Sequence, residues 1–280
     1  MAMLEGAAPH GTERRDIARW SPLRRAEARR LAGLFAIVYF SQGMIYLPDQ
    51  VVAIVFKERG LTAGQLAAFA WIITIPWFIK PLYGLLSDFV PLFGTRRRSY
   101  FLIMSSMAAL SAVAVSLMAE APYAALALVI TLLWLGVGFT DVLTDALMVE
   151  HGKPLGLTGV FQSVQWGALG AASILSGLVG GYLAERRAFA AAFALVACFP
   201  VVSFLMAALV VREPPARPNV EGFGETWASI RRALGHRELW AVGAFIFFWA
   251  FSPSFGPAFF YYETDTLGFS QTFIGLLSSL

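Results

Sequence analysis

Lys80, Asp141 and Asp145 are ionisable residues set inside stretches that are otherwise apolar. Charges at membrane depth are costly, and they pair with one another or mark ion and substrate pathways. Asp141 and Asp145 stand four residues apart, so on a helix they share one face with Trp134 and Gly138. Repulsion between two carboxylates on one turn favours a held proton, and loss of water acts the same way. Such a pair suits a site that binds and releases a proton. Lys80 is about 9 Å from the end of its apolar run and Asp141 about 10 Å from the end of its own, at 1.5 Å per residue. The two runs point the same way, so Lys80 is expected to pair with Asp141 or Asp145. The alternative is an ion pair that only fixes helix packing.

Other polar residues in apolar runs extend this set. Gln42 and Asp49 belong to YFSQGMIYLPDQ, where Tyr39, Gln42 and Tyr46 recur at helical spacing. Gln162, Gln165 and Trp166 could offer amides and an indole to a flat heteroaromatic ring. Gly177 and Gly181 form a GxxxG pair, which marks close helix packing. Glu150 and His151 read as solvated loop residues, and Glu263 and Asp265 as residues outside the membrane in water.

The elements that must position these residues are transmembrane helices. Only 14% of the 280 residues are charged, against 58% hydrophobic and a mean hydropathy of +0.66. That is too few charges to cover a soluble surface. Apolar runs near 31–56, 64–86, 99–119, 122–148, 158–184, 188–211 and 239–262 have the length that spans a bilayer as a helix. An eighth begins near 270. The expected organisation is a basic cytoplasmic tail (1–30), a six-helix bundle (31–211), a central cytoplasmic loop (212–238) and the start of a second bundle (239–280). Pro214, Pro215 and Pro218 oppose helix at the start of the loop, whereas 225–234 suits an amphipathic surface helix. In the seventh run Pro253, Gly256 and Pro257 predict a break or bend.

Lysine and arginine counts orient the chain. With the N-terminus inside, sixteen fall on the cytoplasmic side and four (Lys57, Arg59, Arg186, Arg187) on the other, as the positive-inside rule requires. Short loops and the lack of a presequence pattern point to a bacterial-type inner membrane. The near-neutral net charge of +3 excludes nucleic acid as a partner. A lone Cys198 and three scattered histidines exclude a zinc or redox site, and no metal or cofactor is expected. No Ser/His/Asp, HExxH or phosphate-loop arrangement appears, so an enzyme is not expected.

Six spans, a long loop and further spans is the layout of a major-facilitator transporter. Residues 84–88 (GLLSD) with 94–98 (GTRRR) resemble the second-to-third-helix loop signature of that superfamily. The longer strings PWFIKPLYGLLSDFVPLFGTRRRSYF (76–101), TDVLTDALMVEHG (140–152), FQSVQWGALGA (161–171) and GFSQTFIG (268–275) resemble the folate-biopterin transporter family, from about residue 35 onward. The resemblance implies an all-α polytopic bundle of twelve helices that takes up folates, pterins or related organic anions, with protons as the coupling ion. It also implies a conformational latch formed by Gly84, Asp88, Gly94, Arg96, Arg97 and Arg98; the plain reading of these arginines is as positive-inside anchors. From Ser270 onward only eleven residues remain, about 16 Å of helix, so the sequence reads as a C-terminally truncated member. Another solute on the same fold (a muropeptide, other peptide or S-adenosylmethionine-like molecule) and a non-transporting membrane scaffold are the rival readings.

Overall fold

Where Pro and Gly interrupt the apolar runs, the helices bend, and those bends decide what faces the interior. The computed structural model describes residues 22–217, 220–251 and 255–279. The part of the basic tail up to residue 21, Pro218 and Pro253 lie outside the described residues. Helices dominate the described residues, with one isolated bridge between Leu92 and Thr95. Six of the helical segments are long and apolar enough to cross a membrane, which makes the chain a multi-pass membrane protein of the all-α class.

The first span (24–58) comprises α1 (Pro22–Gly43), a 3-10 turn (Met44–Tyr46) and α2 (Asp49–Glu58), jointed at Leu47-Pro48. The fifth span, α7 (Thr158–Glu185), packs directly on this joint. A Cβ on Gly180 would sit 2.6 Å from the Leu47 carbonyl oxygen, so only glycine admits the approach. The second span (63–89) is also jointed. Its first half, α3 (Ala63–Phe78), starts from a Thr62–Gln65 capping box. Its second half, α4 (Lys80–Phe89), has Pro81 in its first turn. Pro76 and Pro81 flank the break, each removing a backbone donor, and the Pro76 carbonyl accepts from Tyr83 Oη at 3.0 Å instead. The sequence pattern predicts one continuous helix over 64–86; the two prolines divide it and leave Lys80 at the joint.

The third span, α5 (Arg98–Leu117), packs against the fourth, α6 (Tyr123–Leu155), and the sixth, α8 (Phe189–Leu209). Gly136 of α6 lets α5 approach so closely that a Cβ there would meet the Met104 carbonyl oxygen at 2.5 Å. α6 is longer than its apolar run predicts. It continues through Glu150 and His151 and stops only at Gly156, which takes the left-handed conformation (φ +68°) that glycine tolerates. The central segment holds α9 (Val220–Leu234), with arginines in its last turn. Beyond it the seventh apolar run forms two pieces, α10 (Arg237–Ala250) and α11 (Pro257–Asp265), with Gly256 at φ +51° before the second. α10 buries no residue, whereas α11 packs on α3. The short α12 (Gln271–Leu277) packs on α7.

Candidate functional site

The joint at Lys80 aims its ammonium at the fourth span, where it forms an ion pair with Asp141. Asp141 is 5% exposed, so the pair is largely withdrawn from water. Gln42 of α1 donates to the other oxygen of Asp141 at 2.7 Å. One turn along α6, Asp145 diverges from its neighbour. It accepts from the wholly buried Tyr39 hydroxyl and, at 3.4 Å, from Gln165 of α7. Four spans therefore converge on two carboxylates, with one cation between them. The Lys80 ammonium also stands 4.3 Å from the centre of the Trp77 ring, a cation–π contact. Gly138, on the same face, brings the backbone of the Pro76 turn within reach, so the two helices can approach closely enough for Lys80 to reach Asp141.

Chemically, one ammonium balances one of the two carboxylates. The second is held by hydroxyl and amide donors, which serve an ionised carboxylate and leave room for a proton. The other residues singled out by sequence are placed differently. Asp49 opens into a separate cavity beyond Trp77 and Trp134. Gln162 and Trp166 lie on an exposed face of α7, with Trp166 70% exposed. Gly84 of α4 meets Val142 in ordinary contact.

A second cluster closes the arginine-rich end. Arg97 is buried and donates to Asp88 at 2.9 Å and to both oxygens of Glu150 at 2.6 and 3.2 Å. Burial alone would pull the Arg97 guanidinium down, but its hydrogen bonds to Glu150 and the charges of Glu150 and Asp88 outweigh this and hold its pKa above the ordinary value. Arg96 lies 3.6 Å from Glu150 and 3.9 Å from Glu213. Glu213 accepts from the backbone N–H groups of Arg97 and Arg98 at 3.0 and 3.1 Å, capping the start of α5 with negative charge. Arg98 itself donates to the Ala208 carbonyl at 2.9 Å, near the end of α8. Gly94 turns the loop at φ +77°.

Two expectations are corrected here. Glu150 and His151 belong to α6, not to a solvated loop, because the helix runs on to its Gly156 cap; Glu150 is the central acid of the arginine cluster and His151 packs back on the Leu147 carbonyl. Glu263 is buried rather than in water, because α11 lies down on α3. Asp265, three-fifths exposed, pairs with Lys57. Glu213 and Trp77 were not singled out from sequence, and Glu150 was not read as a site residue. The signal for Glu150 was present: it follows Asp145 by five residues, just past the end of the apolar run, where a helix boundary is least certain.

A family model described as the BT1 family matches residues 42–280. The chain is similar to the folate-biopterin transporter of Synechocystis sp., at 33% identity over 85% of this chain and 49% of that protein. It is similar to the probable folate-biopterin transporter 4 of Arabidopsis thaliana, at 29% identity over 69% of this chain and 40% of the relative. It also resembles folate transporter 2 of Plasmodium falciparum, at 24% identity over 86% and 53% respectively. The chain spans about half the length of the curated relatives it matches.

Proposed function

The chain belongs to the BT1 family, and from that premise we propose that it serves a secondary transporter of folate- or pterin-like organic anions, coupled to protons and working by alternating access. The observation that carries this reading is the buried Lys80–Asp141 pair beside a second carboxylate, Asp145, held among the described residues by Tyr39 and Gln165. A folded membrane helix has little use for three such groups unless one of them changes partner or protonation state. In the proposed cycle a proton taken up by one of the two aspartates loosens its hold on Lys80 or on Tyr39. Spans one, two, four and five then change their mutual fit, and the two faces of the site open in turn. Gln42 positions Asp141, and Gln165 positions Asp145. Gln162 and Trp166, on the exposed face of α7, touch the substrate as it passes.

The arginine cluster is the proposed latch. Asp88, Arg97 and Glu150 tie the end of the second span to the fourth, and Arg96 and Glu213 tie in the segment that follows the sixth. Gly84 and Gly94 keep the connecting turn close. The excess of lysine and arginine at this end supports a cytoplasmic location for it, and for the N-terminus, in a bacterial-type inner membrane.

Competition uptake tests the reading. In cells expressing the chain as its native gene encodes it, unlabelled folate and pterin are expected to block import of labelled folate, whereas peptides are not. Asp141→Asn and Lys80→Ala are each expected to cut import at least about tenfold, equivalent to 1.4 kcal/mol. Unchanged import in both variants would remove these residues from the transport cycle, and competition by peptides alone would change the substrate class.

A further inference from the structure

One cavity of about 760 Å³ does not contain the Lys80–Asp141 pair. It lies toward the end opposite the arginine cluster, between the first, second, fourth and fifth spans on one side and α11 and α12 on the other. Trp77 and Trp134, 6.0 Å apart, form its inner wall, and Tyr46 stands 4.9 Å from Trp134. Its volume is in the range of small-molecule sites.

Its charge is one-sided. Asp49 and Glu263 both line it, and no lysine, arginine or histidine does so among the described residues. Neither side chain makes a hydrogen bond or ion pair among the described residues. Glu263 is 8% exposed, while Asp49 opens to the cavity from the first turn of α2. A cavity that repels anions is an odd place for the carboxylates of a folate-like substrate. It suits the other end of such a molecule. A 2-amino-4-oxo pteridine presents an exocyclic N–H and a ring N–H side by side. A carboxylate can accept both in parallel, as it does from a guanidinium. The flat ring can lie against indole and phenol faces.

We propose that this cavity is the ring subsite: Asp49 accepts the amino-pyrimidine edge, Trp134 and Tyr46, in contact with each other, form the aromatic wall the ring lies against, and Glu263 keeps the substrate's carboxylates out. The assignment rests on the folate- and pterin-transporter reading above and says which end of the substrate goes where. It moves the ring away from Gln162 and Trp166, which the exposed face of α7 does not enclose.

The test is a ratio measured on one protein. In the purified full chain, binding of labelled folate is competed with pterin and with lumazine, which carries an oxygen in place of the 2-amino group. Wild-type protein is expected to prefer pterin by at least about tenfold, because a buried acceptor left unpaired penalises the analogue. Asp49→Asn is expected to bring the preference to about twofold or less, while Glu263→Gln keeps it and strengthens competition by carboxylate-bearing analogues. Because each ratio is taken within one variant, partial misfolding lowers the signal and leaves the ratio readable. Equal competition by pterin and lumazine in wild type, or an unchanged ratio in Asp49→Asn, overturns the subsite while leaving the transporter reading standing. Failure of wild type to bind any folate or pterin overturns both.

Discussion

At the arginine-rich end, one buried guanidinium gathers Asp88 and Glu150 from two helices, and a third acid, Glu213, caps the helix that follows. At the opposite end the contacts are made mostly by backbone. A Cβ on Gly181 would lie 2.8 Å from the Gln271 carbonyl oxygen and 2.9 Å from Cα of Gly275, so α7 and α12 meet with no side chain between them. Around that seam Gln50 reaches Gln271, Lys57 reaches Asp265, and Tyr261 donates to the Leu61 carbonyl. The first region joins partners of opposite charge over a distance and with direction. The second closes on shape at the glycine seam itself, with the directional bonds set around it. Closure by charge tolerates small shifts and responds to its titratable partners; closure by shape is lost when volume is added.

Substitutions separate the two. Gly181→Leu is expected to have the largest effect: overpacking a backbone seam costs on the order of 3 kcal/mol. Cross-linking of a Gln50→Cys/Gln271→Cys pair should fall accordingly, while the thermal stability of the arginine end is kept. A seam that still cross-links at wild-type yield would mean that shape does not close this end. Arg97→Ala follows, at about 2–3 kcal/mol. It takes the Arg97 cation from Asp88 and leaves Glu150 to Arg96 at 3.6 Å, and both acids are only half-buried, which lowers the cost from that of a fully buried pair. Arg97→Lys should recover less than half of the lost melting temperature, since an ammonium cannot serve both acids in fork geometry. Glu213→Gln should cost about 0.5–1 kcal/mol by removing charge from the start of α5, read as a lower melting temperature in detergent. Lys57→Ala should cost under about 1 kcal/mol, because its partner Asp265 is largely exposed. That small effect should vanish in high salt, whereas the Arg97 effect should persist.

The same contrast decides what the sequence could reveal. The spans were legible because their runs are long and apolar. That Lys80 pairs with one of the two aspartates was legible because a charge at that depth has few partners to choose from; which of the two was not. The cluster around Arg97 was half legible. Asp88 and the arginines stand together in sequence, but Glu150 lay just past an apolar run and Glu213 beyond the sixth span, where periodicity carries no information. The glycine seam was the least legible. Gly177 and Gly181 announce close packing, but nothing in a GxxxG pair says that the partner is Gly275, about a hundred residues on. Asp49 and Glu263 share a cavity for the same reason unseen: α11 had to lie down on α3 first. The break at Ile79 was written in the sequence as Pro76 and Pro81, but the apolar run across them reads as one helix.

That break makes the second span two rods on a pivot rather than one. One half carries α11, and with it one wall of the acidic cavity; the other bears Asp88, paired with Arg97. Lys80 sits on the pivot itself, the one place on the span whose direction changes when either rod turns. In the proposed transport cycle, that joint is where a movement of the first rod reaches the ammonium beside Asp141.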